Sequence, residues 1–422
     1  MAAPELIVRG AMWRGAPVDI LVRKGKILGV EPVSGHMPEG CKVVDATGLT
    51  LLPSLVDCHV HLRDPGDEYK EDVASGLAAA AHGGFGAVMC MGNTSPVNDS
   101  ATVTEYMLSQ ARRHWPKGPR LHPVGALTKG LKGEEMSPLT ELAQAGCAAF
   151  SNDGRPVLNT ELYRRCVEYA ADLGLKVIDH CEDPYLAKQG VMNEGRLSGL
   201  MGLKGVPTVA ESLHVARDIL LCGYLGLPIH LAHISCRESV ELIAWGKARG
   251  FPITAETCPH YLFFTENAVE GYDTAAKVNP PLRTDDDVLA MRQAVSDGTI
   301  DMLVTDHAPH AAHEKEVPMD ESPNGISGLD TALSLTWGLV KDGVLDMDAF
   351  LRAWCYGPGK VFNLPVNAFN EGDPADFVLF DASATWEVTP KAMHSKGKNT
   401  PCLGMILPGR VAMHFIGGRQ IV

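Results

Sequence analysis

Five things are missing from this 422-residue sequence, and each absence closes off a class of protein. Its 11 cysteines contain no C-x-x-C pair, so they do not read as a disulfide framework. Several (Cys58, Cys90, Cys147) fall inside strand-like runs and are expected to be buried, reduced thiols of a cytoplasmic protein. Basic clusters are also missing. The 37 Lys and Arg are outnumbered by 51 Asp and Glu, for a net charge of -14, which argues against a nucleic-acid surface. An anionic small molecule must therefore be held by local positive charge, from a metal or an Arg. No apolar run reaches the roughly 18 residues of a membrane span. Met1 to Glu5 show no basic stretch leading into an apolar core, so no secretory signal is expected. Finally, no G-x-G-x-x-G loop follows the first long apolar strand, which counts against a dinucleotide-binding open sheet.

What is present is an ordinary globular composition, 45% apolar and 21% charged, in two textures. Up to about residue 50 the chain is β-rich and punctuated by glycine turns, and the same texture returns after about residue 366. The two ends are expected to pair into one small β-sandwich, residues 1–52 with 366–422, around a large domain, 53–365. Inside the large domain, strand-like segments alternate with helix-like ones. The strands are read as Leu55–His61, Gly86–Met91, Arg120–Ala126, Cys147–Ser151, Lys176–His180, Ile229–His233, Pro252–Glu256 and Asp301–Thr305. Tyr69–His82 and Val209–Cys222 are examples of the helices between them. Eight strands in βα alternation predict a (β/α)8 barrel.

The chemistry collects at the strand ends, where parallel barrels place it. Strand one closes with His59 and His61, two residues apart and so on one side of the strand. Strand four ends in Asn152 and Asp153, strand five in His180, strand six in His233, and strand eight in Asp306 followed by His307 and His310. A single such residue is usually a hydrogen-bonded rim residue; five strands ending this way at one face point to a metal centre. Four His and two Asp can hold two divalent metals, for which zinc suits imidazole and a carboxylate can bridge. Such a pair makes a hydroxide nucleophilic near neutral pH, and Asp306 is placed to move its proton. The expected chemistry is hydrolysis, or its reverse, at an amide-like carbon.

Longer motifs sharpen this. Asp57-Cys58-His59-Val60-His61-Leu62-Arg63-Asp64-Pro65-Gly66, Met91-Gly92-Asn93-Thr94, Phe150-Ser151-Asn152-Asp153-Gly154, Lys277-Val278-Asn279-Pro280-Pro281-Leu282-Arg283, Thr305-Asp306-His307-Ala308-Pro309-His310 and Gly325-Ile326-Ser327-Gly328 run along nearly the whole chain. Together they resemble the amidohydrolase superfamily, and within it the bacterial type I dihydroorotases. The resemblance implies the zinc-dependent, reversible cyclisation of N-carbamoyl-L-aspartate to (S)-dihydroorotate and water. It implies two zinc ions per subunit, one on His59, His61 and Asp306 and one on His180 and His233, with Asp153 as the bridge. Many relatives bridge with a carbamylated Lys, but strand four here offers Ser151-Asn152-Asp153-Gly154, so an unmodified carboxylate is expected.

For the substrate, the resemblance points to Arg63, Asn93 and His310 around a carboxylate, and to Asn279, Asn324 and Gly325 against the ring amides. Read without it, Arg63 could form a rim ion pair with Asp64 or Asp67, and Asn279 could be a turn residue before Pro280. Residues 311–324 are expected to form a mobile loop over the site, His313 is given no metal role, and His260 is read as packing. A homo-oligomer is expected, and association with aspartate transcarbamoylase stays open. Two other readings stay open as well: a related cyclic amidase of the allantoinase or dihydropyrimidinase kind, and a non-catalytic dihydroorotase-like partner subunit, which would have lost metal ligands that this sequence keeps.

Overall fold

The computed structural model describes residues 4–34 and 40–422. Its first five strands are β1 (Leu6–Trp13), β2 (Ala16–Arg23), β3 (Lys26–Pro32), β4 (Lys42–Asp45) and β5 (Thr50–Pro53). One residue later the barrel begins. Its strands are β6 (Leu55–Val60), β7 (Phe85–Cys90), β8 (Arg120–Ala126), β9 (Ala149–Ser151) and β10 (Val177–Asp179). A separate two-stranded ribbon, β11 (Met192–Asn193) with β12 (Gly205–Val206), interrupts the series. β13 (Ile229–Leu231), β14 (Ile253–Thr257) and β15 (Met302–Leu303) complete it. All neighbouring barrel strands pair in parallel in the order β6-β7-β8-β9-β10-β13-β14-β15, giving the (β/α)8 architecture. The chain then returns to the terminal sheet as β16 (Phe377–Glu387), β17 (Ile406–Ile416) and β18 (Arg419–Gln420).

β6 and β7 are buried at every position, as strands covered on both faces must be. The eighth strand is shorter than the sequence suggests, and side chains close the barrel in its place. The Asp57 carboxylate accepts from the Thr305 backbone N–H (3.1 Å) and hydroxyl (2.5 Å). Just beyond, the His61 N–H donates to the His307 carbonyl at 2.8 Å. Helix boundaries also moved. The helix expected from Tyr69 spans Val73–His82, because Asp72 caps it and accepts from the Ser75 N–H at 2.8 Å. The helix expected to end at Cys222 runs from Val209 to Leu225 and stops where Gly226 adopts a left-handed φ of 65°.

The two chain ends pair as expected, in one connected eight-stranded sheet: β5 lies between β1 and β16, and β4 pairs with β1. The period of two along a strand explains how this sheet is fixed to the barrel. On β5 and β16, Leu51, Phe377 and Leu379 face a small core with Leu6, Val8, Ile20 and Phe415. Their alternates, Leu52, Val378 and Phe380, belong to the barrel core.

His414 on β17 adds a polar tie. Its Nδ1–H donates to the Ala81 carbonyl (2.8 Å), and its Nε2 pairs with the Ser54 hydroxyl (2.9 Å). Burial pushes this imidazole down from 6.5 to about 4. Above pH 6.5 both folded and unfolded chains hold it neutral and stability is intact. As pH falls from 6.5 toward 4, only the unfolded chain takes up the proton, so stability is lost, by up to about 3 kcal/mol from this group. The melting temperature is therefore expected to fall across that window, and less steeply in His414→Gln; an unchanged slope would remove His414 from the effect.

Candidate active site

At the carboxyl ends of the strands, the backbone leaves regular geometry and turns side chains inward. His59 is still on β6, but His61 lies one residue past it, His180 one past β10, and Asp153, His233 and Asp306 a few residues past β9, β13 and β15. Arg63, His233 and Asp306 adopt positive φ values of 59°, 33° and 45°. For residues with a Cβ this costs about 1 kcal/mol or more each, and such strain gathers at functional sites. Arg63, three residues past the end of β6, thus reaches the cavity through a left-handed turn.

The result is two triads that share one carboxylate: His59, His61 and Asp153, and Asp153, His180 and His233, all buried. His59 and His233 Nε2 each lie 3.4 Å from Asp153 Oδ1, and His180 Nδ1 lies 3.5 Å from it. The other oxygen, Oδ2, is 3.6 Å from His61 Nε2. Asp306 Oδ1 stands 3.1 Å from His61 Nε2 and 3.6 Å from His59 Nε2. These separations match the edge of a tetrahedron with bonds of about 2.0–2.1 Å, roughly 3.3 Å. His59 Nε2 is buried with no hydrogen-bond partner, which in a native core calls for a ligand. The donor set therefore fits divalent metal. Asn152, the neutral amide next to Asp153 in sequence, turns away: it accepts from the Thr128 N–H (3.0 Å) and donates to the Arg155 carbonyl (3.1 Å).

Outer contacts aim the imidazoles. His59 Nδ1–H donates to Glu256 Oε1 at 2.7 Å, and Glu256 Oε2 takes a second bond from His230 Nε2 at 3.0 Å. His61 Nδ1–H donates to Asn93 Oδ1 at 2.9 Å. Both rings are thereby left with Nε2 lone pairs toward the cavity, as outer partners of metal-binding His commonly arrange. The field inside favours cations. Burial would raise Asp153, but the imidazoles, His59 foremost, hold it well below the usual carboxylate range. Burial likewise opposes ionisation of Asp306 and Glu256, yet His61 facing the one and His230 with His59 facing the other bring each to about 2. His180 responds in the opposite sense: burial would lower it, and Asp153 and Glu182 lift it to about 10. A third constellation, Asp179, Cys181 and Asp218, is already neutralised. Arg217 sits 2.8 Å from Asp179 and 2.7 Å from Asp218, and His214 is 2.8 Å from Asp179.

The cavity over the triads holds about 190 Å³, and Arg63, Asn93, Asn279, Asn324 and Gly325 line it with His61, Asp153, His180, His233 and Asp306. Arg63 makes no ion pair with Asp64 or Asp67 among the described residues; its Nε donates to the Pro309 carbonyl at 3.3 Å. Asn279 Nδ2 lies 3.4 Å from His180 Nε2. Gly325 has φ 144°, and a Cβ there would come within 2.6 Å of the Ala308 carbonyl oxygen. His310 differs from its expected place on the wall. It stands behind, with Nε2 3.5 Å from Arg63 Nη2 and donating to the Asn324 carbonyl at 2.9 Å.

Residues 311–324 are also more structured than a free lid. A short helix, Ala312–Lys315, opens the segment, and its Glu314 meets Lys70 and the Tyr69 hydroxyl, each at 3.0 Å. Lys277 Nζ reaches the Met319 (2.5 Å) and Ser322 (2.6 Å) carbonyls. His313 stays outside the metal-type clusters, and buried His260 packs on Tyr261 with ring centroids 4.2 Å apart. The sequence reading missed Glu256, although an acid ending strand seven was a visible signal.

Comparison with known proteins agrees with this geometry. A family model described as dihydro-orotase-like matches residues 48–239. A dihydroorotase of Geobacter metallireducens is 46% identical over 405 residues, covering 96% of this chain and 95% of that one. One of Syntrophotalea carbinolica is 47% identical over 401 residues, covering 95% and 93%. Among solved structures, the L-hydantoinase (dihydropyrimidinase) of Arthrobacter aurescens superposes with a TM-score of 0.87 at 22% identity, covering 99% of this chain and 96% of the other, a likeness of fold. The shared carboxylate, the four converging imidazoles and near-full-length identities of this size lead to one conclusion: the chain belongs to the dihydroorotase family.

Proposed function

We propose that the chain is a dihydroorotase that interconverts N-carbamoyl-L-aspartate and (S)-dihydroorotate plus water, a step of pyrimidine synthesis in the cytoplasm. The observation that carries this reading is a carboxylate, Asp153, common to two histidine pairs, with Asp306 and Arg63 on the same small cavity. In this reading the metal is zinc, two ions per chain: His59, His61 and Asp306 hold one, His180 and His233 the other, and Asp153 serves both. Metal bound here supplies a nucleophile from water near neutral pH and withdraws electrons from the carbonyl under attack.

The remaining work belongs to side chains. Asp306 enters as an anion, takes the proton of the attacking water and delivers it to the ring nitrogen as the carbon–nitrogen bond opens; synthesis runs the same path backward. Arg63 has the planar fork suited to a carboxylate, and burial beside Pro309 and His310 fixes its direction. Asn279 and the backbone at Asn324 and Gly325 face the ring amides, which the missing Cβ of Gly325 allows to come close. Eleven free cysteines suit a reducing compartment. Exposed Leu213, Leu220 and Tyr224 on one helix favour self-association into a homo-oligomer. A transcarbamoylase partner is not required by this chemistry.

The test is hydrolysis of dihydroorotate by the purified chain, followed by absorbance, with metal content read on the same sample. Turnover with about two metals per chain is expected; metal-loaded protein without turnover would overturn the assignment. In the same assay Arg63→Ala should raise KM about 10- to 100-fold, as loss of ~1.5–3 kcal/mol of charge-assisted hydrogen bonding requires, with kcat much less affected. An unchanged KM would make Arg63 structural.

A further inference from the structure

One wall of the cavity is made by two short loops, Ala308–His310 after the last barrel strand and Asn324–Ser327, which contribute Ala308, Asn324 and Gly325. They touch directly through two hydrogen bonds, from the Ala308 N–H to the Ile326 carbonyl and from His310 Nε2 to the Asn324 carbonyl, each at 2.9 Å. Neither loop belongs to a regular element that would hold it rigid. What closes them is a side chain from elsewhere. Asn399 lies in the connection between β16 and β17, far along the chain from either loop and on the stretch that otherwise builds the terminal sheet.

Its amide is fully used. Oδ1 accepts from the His310 backbone N–H at 2.8 Å and from the Ser327 hydroxyl at 3.0 Å, a hydrogen it shares with the Gly397 carbonyl at 2.9 Å. Nδ2 donates to the Ala308 carbonyl at 3.1 Å and to the Gly325 carbonyl at 2.9 Å. The Asn399 carbonyl receives the Ser327 N–H at 2.8 Å, and Gly397 packs so closely that a Cβ would come within 2.6 Å of Pro309 Cβ. Each loop thus gives Asn399 one donor and one acceptor, an arrangement that only a side-chain amide, with an acceptor and a donor on one flat group, can satisfy. The groups held are the ones that face substrate or stand next to it. Gly325 is on the cavity wall, the His310 ring lies beside the Arg63 guanidinium, and the Pro309 carbonyl between the fixed residues accepts from Arg63 Nε.

We propose that Asn399 is a positioning residue for substrate binding, setting the spacing of two loops, one of which holds Arg63 through the Pro309 carbonyl while the other presents the Gly325 backbone, so that both meet the carboxylate and ring of the substrate. The inference rests on the dihydroorotase reading above. It makes the connection between β16 and β17 part of the substrate pocket, although no residue of that connection lines the cavity. Asn399 makes none of the contacts of the metal-type triads, so its loss acts on substrate affinity and leaves metal content alone.

The experiment uses the full chain loaded with zinc and steady-state kinetics on dihydroorotate, with metal content measured in every sample. Wild-type turnover comes first, because its absence would overturn the function itself and not this assignment. Given turnover, Asn399→Ala should raise KM at least tenfold while kcat changes less than about threefold and metal content is unchanged. Ser327→Ala, which removes one bond to the amide and leaves the other three, should move KM in the same direction by a smaller factor, and it decides the question should Asn399→Ala fail to fold. Asn399→Asp should bring KM back toward wild type as pH is lowered, because only the protonated carboxyl can donate to a loop carbonyl. A variant that melts earlier with KM unchanged, or that loses metal and kcat with KM unchanged, would overturn the proposal.

Discussion

Asp306→Asn should retain its metal and lose turnover by about 10²- to 10⁴-fold, the range that a positioned acid–base group contributes. The substitution keeps the shape of the side chain and one oxygen for His61, 3.1 Å away. It removes the anion that burial disfavours and that His61 and His59 hold near 2. Because the proton moves to Asp306 from the attacking water and then to the ring nitrogen, both directions of the reaction should fall together. Rates near wild type, with metal content equal, would take Asp306 out of the proton path and leave it a ligand alone.

Asp153→Asn should act on the metals first. Asp153 is the one residue common to both triads, and its two oxygens face different imidazoles: Oδ1 toward His59, His180 and His233, Oδ2 toward His61. An amide nitrogen in place of one oxygen turns an acceptor into a donor pointing at ring nitrogens that must themselves accept metal. Bound zinc is expected to drop from about two per chain to below one. The accompanying loss of affinity should exceed the roughly 10–100-fold that follows from disturbing an outer partner such as Glu256. Metal analysis after dialysis reads this directly; two retained ions would show that the carboxylate does not bridge.

The barrel, and the face on which chemistry collects, could be read from the sequence because both follow from local rules. Alternation brings His59 and His61 to one side of a strand, and β6 and β7 are apolar enough to be buried on both faces. At the end of strand four the structure turns Asn152 into the bonds that hold Thr128 and Arg155 and leaves Asp153 facing the imidazoles. Three other features lay beyond local pattern. The left-handed turn at Arg63 depends on what surrounds the loop and not on Arg itself, which has no preference for positive φ. His310 stands behind Arg63 because the Asn324 carbonyl captures it, a contact made across a loop. The 311–324 stretch looks irregular and polar, yet buried Lys277 and Lys315 collect its carbonyls, Lys315 taking that of Pro323 at 2.7 Å. Nothing in its own composition shows that.

The seam between β5 and β16 has a consequence for synthesis. Pro53 pairs with Phe377, so the entire barrel is translated between the two halves of this ladder. A chain emerging from the ribosome carries β1 to β5 with one edge of β5 unsatisfied, and it carries Leu52 without the Val378 and Phe380 that later cover the same barrel face. An open strand edge beside exposed apolar side chains is what chaperones recognise and what aggregates when they are absent. Pairing of such long sequence separation is also slow. The vulnerable interval in the life of this protein thus runs from completing β5 to delivering β16, and slowing translation across residues 54–376 should lower soluble yield while leaving the specific activity of the soluble fraction unchanged.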